Sequence, residues 1–345
     1  MYNNMRKTTI GSLLICNSNM FIPTVLTEVL SHSDKHYLVI SDTDNIRKFF
    51  EFLALPNVIY KHYGFNPKQD GRLGFIRHRN ELLNYVSQYE IGRVVFFHAE
   101  YGAMANWLIE RLSKTIPIQY CKLYDAIPVP TVPFSLRKVK MILSERIHWG
   151  QKMDILSGVT TIFPSLPESF FRKVKAEVIK MPIDNDLISS ILLGKLKAFN
   201  IKGKYVLLTG TAVHNGWYTE DIYTLFINDL IDVLGLERVV SKCHPRYQEL
   251  YGKERELSQI PSFVPGNVLL ESFDYYIGLE STLLVEAAKA GKVAISYIDL
   301  LRPNEQRCKS LHAFFENRLQ GKGVIHFPTS LTELRECVGS HQNLE

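Results

Sequence analysis

The chain has 345 residues, 46% hydrophobic and 22% charged, a balance that excludes a disordered or fibrous protein and suits two domains of roughly 150 residues each. Its net charge of +5 is spread along the sequence with no basic-aromatic stripe, which disfavours a nucleic-acid partner but admits an acidic ligand or an anionic surface. Five cysteines (Cys16, Cys121, Cys243, Cys308, Cys337) form no CxxC pair, which argues against a disulfide framework or zinc site and for a reducing, cytoplasmic setting; no apolar run approaches the roughly 20 residues of a spanning helix.

Residues 1–180 read as a first α/β domain. Apolar runs at 11–16, 37–40, 58–60, 94–97 and 118–121 alternate with helical patterns near 23–30, 45–53, 74–89 and 103–112, as in a five-stranded parallel sheet with crossover helices. Ligands of such sheets bind beyond the carboxyl ends of the strands. There the chain carries Asn17-Ser18-Asn19, Ser41-Asp42, His98-Ala99-Glu100 and Tyr124-Asp125. Asn17, Asn19, His98 and Glu100 are therefore the acceptor-side candidates, although polar residues at strand ends also cap the helices that follow them.

Between residues 128 and 202 the alternation weakens. Pro128, Pro130 and Pro133 precede a basic stretch, Arg137, Lys138, Lys140, Arg146, His148 and Lys152, interleaved with apolar residues and Trp149. It reads either as a solvated helix face or as a peripheral attachment to an anionic inner membrane. The run from Phe170 to Lys175 has the same two readings. Pro164, Pro167 and Pro182 place the crossover between domains here, with a hinge at 181–186.

The second domain, 181–330, shows its pattern from Lys204. The strand 205–208 runs into Thr209-Gly210-Thr211, a polar loop His214-Asn215-Gly216-Trp217 follows, and Thr219 caps an acidic first turn (Glu220, Asp221) before the helical run 222–234. Neither GxGxxG nor GxxxxGK[ST] is present, so a dinucleotide fingerprint and a P-loop are absent, while a nucleotide sugar held by several strand ends stays open. A strand then ends in Lys242-Cys243-His244-Pro245, the turn-rich stretch 261–267 follows, and a further strand ends in Gly278-Leu279-Glu280-Ser281-Thr282 before a short helical run closing on Gly291. A strand at 293–297 and a helical piece at 331–338 complete the chain; the tail 331–345 either crosses back to the first domain or pairs with a second subunit.

The two polar strand ends point to a phosphate. A charged imidazole donates two hydrogen bonds to an anion and can protonate it as it leaves, and Pro245 ends the strand so that His244 is presented at its edge. Ser281 and Thr282 fall at a helix N-terminus, where free N–H groups and hydroxyls favour negative charge. The bland alternative is that His244 only packs or caps. His98, Glu100 and His214 are isolated and no HExxH occurs, so no metal is expected.

Lys242-Cys243-His244-Pro245 together with Gly278-Leu279-Glu280-Ser281-Thr282-Leu283-Leu284 resembles the His-Pro and Ser-Ser/Ser-Thr motifs of bacterial sialyltransferases, the group of the lipooligosaccharide sialyltransferases and capsule polysialyltransferases. The resemblance implies a glycosyltransferase B fold, two Rossmann-like domains with an interdomain cleft. It also implies transfer of sialic acid from CMP-sialic acid to a glycan acceptor, with no metal or other cofactor. On this likeness His244 holds and protonates the CMP phosphate, Ser281 and Thr282 hydrogen-bond it, and Pro245 shapes the turn. Lys242, Glu280, Gly210 and Thr211 complete the donor side, with Arg246, Thr211 and the backbone near Gly210 available to the donor carboxylate. The family's first-domain base sits in an acid-acid-glycine motif; Leu123-Tyr124-Asp125-Ala126-Ile127 keeps one acid, so Asp125 is the first choice, Glu100 the second, and Glu220 or Asp221 the third. CMP-Kdo transferases and CDP-glycerol or CDP-ribitol transferases share such strand ends, and a non-catalytic glycan- or nucleotide-binding assembly protein is the alternative from another class.

Overall fold

The computed structural model describes residues 8–65, 67–97, 103–121, 174–199, 201, 203–245, 247–302 and 304–339, and the chain divides into two compact units, Met1–Asp184 and Asn185–Glu345. The first unit holds β1 (Thr8–Ile15), β2 (Tyr37–Ser41), β3 (Val58–His62), β4 (Tyr89–Phe96), β5 (Ile118–Cys121) and β6 (Ala176–Ile179). They form one sheet in the order β3-β2-β1-β4-β5-β6, parallel throughout. Helices α1 (Ile22–Ser31), α2 (Asp44–Leu53), α3 (Pro67–Val86) and α4 (Ala103–Leu112) make the crossovers. β1 and β2 are nearly continuous apolar runs because a parallel sheet is covered on both faces: Ile10, Leu13, Leu14, Tyr37, Leu38, Val39 and Ile40 are all fully buried.

The sequence pattern predicts five strands here, and the structure has six. β6 closes the edge beside β5, pairing Ile118 with Ala176 and Cys121 with Ile179. It is an edge strand in which Glu177 and Val178 are exposed, so the apolar run that marks an interior strand is missing from its four residues.

The second unit repeats the plan with β7 (Tyr205–Thr209), β8 (Val239–Cys243), β9 (Ser258–Gln259), β10 (Tyr275–Gly278), β11 (Val293–Ser296) and β12 (Ile325–His326), in the order β12-β11-β10-β7-β8-β9. Counted from its own first strand, each sheet reads 3-2-1-4-5-6. The chain reverses direction across the sheet between β1 and β4 in one unit and between β7 and β10 in the other, and the loops at such a switch point splay apart to leave a ligand crevice. The unit's helices are α5 (Asn185–Leu196), α6 (Glu220–Leu234), α7 (Thr282–Lys289), α8 (Ile298–Leu301), α9 (Glu305–Leu319) and α10 (Leu331–Gly339). The sequence pattern does not predict three of them, α5, α8 and α9: α8 is a single turn, α9 buries only Leu311 and Phe315, too few for a clear period, and α5 buries Ile188, Leu192 and Leu196 at a helical spacing inside the stretch read as the crossover between domains. The C-terminal α10 packs against α6 inside this unit, burying Leu334 and Val338.

Candidate functional site

The second sheet sets three strand ends side by side. Register pairs Gly278 with Leu208 and Leu208 with Lys242, so β10, β7 and β8 leave the sheet at the same level, at Leu279-Glu280, Thr209-Gly210 and Cys243-His244. The spacing of the His-Pro end and the Ser-Thr end along the chain suits two neighbouring strand ends; in the structure β7 lies between them. At the usual strand spacing they stand about 10 Å apart. The Thr209-Gly210-Thr211 loop forms the middle of the site.

β8 ends because the chain turns sharply after Cys243. The His244 N–H donates to Thr209 O at 3.0 Å, and the Tyr247 N–H donates back to His244 O at 3.1 Å, with Pro245 inside the turn. The imidazole of His244 stacks on the Tyr247 ring at 5.0 Å between centroids, and His214, from the loop after β7, stacks on the same ring at 3.6 Å. Gly210 has φ +96°, and a Cβ there would meet Tyr247 O at 2.4 Å and His244 N at 3.3 Å. A glycine is needed for both reasons. Lys242 is buried, its amine donating to Cys243 O at 3.0 Å and Ser262 O at 3.4 Å; burial pulls its pKa down to about 8. Arg246 lies outside the described residues.

At the other end, Ser281 is the N-cap of α7, accepting from the Leu283 N–H at 3.2 Å. That bond uses the oxygen's lone pair and leaves the hydroxyl proton free to donate. Thr282 opens the helix and Gly291, φ +75°, follows its last turn, with its N–H on Ala288 O. Glu280 is fixed from the β7 loop: Asn215 Nδ2 donates to its Oε1 at 2.6 Å and the Thr211 hydroxyl to the same carboxylate. Burial raises the Glu280 pKa against these two bonds and the charge of Arg307. Gly210, Thr211 and Glu280 thus come together with His244 across the β8-β7-β10 edge, and Ser281 stands next to them in sequence.

A second layer lies behind this edge. Glu254, fully buried, accepts at Oε1 from Thr209 Oγ1 (2.5 Å) and Ser241 Oγ (2.6 Å), and at Oε2 from the Tyr251 N–H (3.2 Å). It ties β7 to β8 immediately before Gly210 and His244. Desolvation pushes its pKa up, and the hydrogen bonds oppose the shift. Sequence reasoning missed Glu254, Tyr247, Asn215, Trp217 and Arg307. Only the polar loop His214–Trp217 gave a signal.

In the first unit Asn17 lies at the carboxyl end of β1, beside the switch point. Its Nδ2 donates to Tyr63 OH at 2.8 Å, its Oδ1 accepts the Asp42 N–H at 3.2 Å and its carbonyl accepts from Thr43 Oγ1 at 3.2 Å. Asn17 thus knits the ends of β1, β2 and β3 together. Asn19 opens the single turn Asn19–Phe21 that leads into α1, capped by Ser18. Asp42, half-buried near His62, has its pKa raised by desolvation. Asp125, His98 and Glu100, with the basic stretch after Pro133, lie outside the described residues. Glu220 and Asp221 occupy the first turn of α6. Among the described residues no cluster of three His, Cys, Asp or Glu could hold a metal ion, and no helix is long and apolar enough to cross a membrane.

No protein-family model matches this chain, and no curated protein matches it in sequence. Solved structures do match. The wall teichoic acid polymerase TagF superposes with a TM-score of 0.51 at 11% identity, covering 98% of this chain and 81% of that one. The same polymerase soaked with CDPG gives 0.50 at 12%, with the same coverage. A sialyltransferase from Photobacterium damsela gives 0.48 at 12%, covering 93% and 81%. At these identities the likeness is one of fold: two parallel six-stranded sheets with helices, the two-domain α/β fold of the glycosyltransferase B type.

Proposed function

We propose that this chain is an inverting glycosyltransferase that moves sialic acid from CMP-sialic acid to a sugar hydroxyl, with a galactoside of a bacterial surface glycan as acceptor. The observation that carries the reading is the convergence of His244, the Gly210-Thr211 loop and the Glu280-Ser281 helix start at the switch point of the second sheet. An imidazole, a glycine-opened backbone and a helix N-terminus are the groups that grip a nucleotide phosphate.

The donor is already activated, so the chemistry is a displacement. The bond from the anomeric carbon to the phosphate oxygen breaks with its electrons going to CMP, while the acceptor oxygen bonds the opposite face of that carbon. Charge grows on the departing phosphate, where the Ser281 hydroxyl, the first-turn N–H groups of α7 and the His244 imidazolium stabilise it and His244 supplies a proton. A carboxylate takes the acceptor proton; Asp125 is assigned this role, with Glu100 next. Glu280 holds the β10 end in place through Asn215 and Thr211.

Calorimetry with CMP, CDP, UMP and UDP in the presence of a chelator tests the reading. Selective CMP binding that collapses in His244→Ala supports it and leads to transfer assays with CMP-sialic acid and CMP-Kdo. A preference for CDP turns the assignment to a CDP-polyol transferase. Absence of nucleotide binding removes the transferase and leaves a binding or assembly protein.

A further inference from the structure

Beside Glu280, between the loop that follows β7 and the first three turns of α9, lies a cavity of about 490 Å³. Its wall combines unlike groups: the Arg307 guanidinium, the Glu280 carboxylate, the Ser310 side chain, and an apolar side made by Trp217, Leu311 and Phe314. Arg307 stands with its guanidinium carbon 5.2 Å from the Trp217 ring centroid and donates to Gly216 O at 3.4 Å. Among the described residues it enters no ion pair. A guanidinium has five N–H donors in a planar fork that matches a carboxylate, and Arg307 spends one of them on a long bond. Glu280, held by Asn215 and Thr211, makes no ion pair with Arg307 and feels it only through its charge, which opposes the rise in the Glu280 pKa.

Glu280, in the cavity wall, immediately precedes Ser281, the N-cap of α7, which sets the cavity next to the start of that helix. We propose that it receives the sugar of the donor and that Arg307 pairs with that sugar's carboxylate. This inference rests on the reading of the chain as a transferase of a nucleotide-activated sugar and makes it more specific. Hydroxyls of the sugar donate to the remaining lone pairs of Glu280, and a small apolar substituent, such as an N-acetyl methyl, packs on Trp217 and Leu311. A neutral polyol fills the hydroxyl side but offers the Arg307 fork no carboxylate to pair with, so its remaining N–H donors stay unmatched in the cavity. Arg307 therefore selects acidic sugars over glycerol or ribitol, and does so through the sugar and not through the nucleotide.

The test is calorimetry of the full chain and of Arg307→Gln, Ser310→Glu and His244→Ala, each with CMP and with CMP-sialic acid. Arg307→Gln is expected to leave CMP affinity within about twofold and weaken CMP-sialic acid binding about 10- to 100-fold, the span of a lost charged hydrogen bond. Ser310→Glu, which sets a like charge in the cavity, is expected to discriminate in the same direction, and Arg307→Lys to recover part of the loss. Equal weakening of both ligands by Arg307→Gln overturns the proposal in favour of a nucleoside pocket, and no weakening of either removes the cavity from donor binding. If His244→Ala abolishes CMP binding while Arg307→Gln changes nothing, the transferase reading stands and only this inference falls. If the unmodified chain binds no cytidine nucleotide, both fall.

Discussion

Gly210 and Tyr247 meet so closely that a single methyl group on the glycine would stand 2.4 Å from the tyrosine's carbonyl oxygen. The contact locks the loop after β7 onto the turn that carries His244, joining two of the three strand ends of the site. Gly210→Ala therefore faces two penalties, a backbone at φ +96° that an alanine rarely adopts and a collision with main chain that cannot swing aside. Gly216 is the control: its φ is +64° and a Cβ there meets nothing within 4 Å. Chemical denaturation should show Gly216→Ala losing about 1 kcal/mol and Gly210→Ala about 2–4 kcal/mol. Only Gly210→Ala should also weaken CMP binding. Equal losses at both sites would show that strain alone, and not the contact with the His244 turn, requires the glycine.

His244→Ala addresses the chemistry and not the fold. The ring sits at the sheet edge stacked on Tyr247, while the turn itself is held by backbone bonds to Thr209 O and from Tyr247 N–H that survive the substitution. The melting temperature should stay nearly unchanged, and the transfer rate should fall about 100- to 1000-fold, the usual cost of one preorganised donor to developing charge. Near-normal transfer by this variant would leave His244 as a packing residue.

The parts of the molecule that could be read from sequence are those where one physical signal dominates. Interior strands such as β2 and β7 are continuous apolar runs because both faces are covered, and the α7 start is legible because Ser281 and Gly291 obey the rules for helix ends. The edge strand β6 and helix α9 lack such a signal, since most of their side chains meet water. The site divides the same way. His244, Gly210 and Ser281 announce themselves by residue type at strand ends. Arg307 and Glu254 do not, because nothing local says that one reaches a cavity 27 residues beyond Glu280 and the other crosses behind two strands. The order of strands also cannot be read from spacing: β7 intervenes between two ends whose spacing along the chain suits neighbouring strands.

Lys242 provides a pH-dependent signature. In the unfolded chain its amine titrates near the ordinary 10.5; in the folded protein burial lowers the pKa to about 8. The unfolded state thus binds the proton more tightly, and stability rises with pH between about 8 and 10.5, where the folded amine is already neutral. Below pH 8 the full cost of burying the charge is present, on the order of 3 kcal/mol. Lys242→Met should be more stable than the natural chain at neutral pH and should lose the rise, which denaturant titrations at pH 7, 9 and 10.5 would reveal. A Lys242→Met protein whose stability follows the same pH course would show that the amine is solvated.

Glu254 has the opposite sign. Its folded pKa lies above the unfolded value of about 4.5, so the native state holds the proton more tightly; this stability is complete below 4.5 and is lost as pH rises through the folded value. At neutral pH the carboxylate is retained at a cost, which the bonds from Thr209, Ser241 and Tyr251 offset. Glu254→Gln removes the charge and keeps an acceptor oxygen, so the natural chain should lose stability relative to this variant as pH rises from about 4.5 through the folded value. Glu254→Ala removes the acceptor altogether and leaves two hydroxyls and an N–H buried without a partner, costing about 3–5 kcal/mol. Because those hydroxyls belong to the ends of β7 and β8, which lead into Gly210 and His244, Glu254→Ala should weaken CMP binding as well, whereas Glu254→Gln should preserve most of it. If the two variants bind CMP alike, the buried carboxylate stabilises the second unit without setting the geometry of its edge.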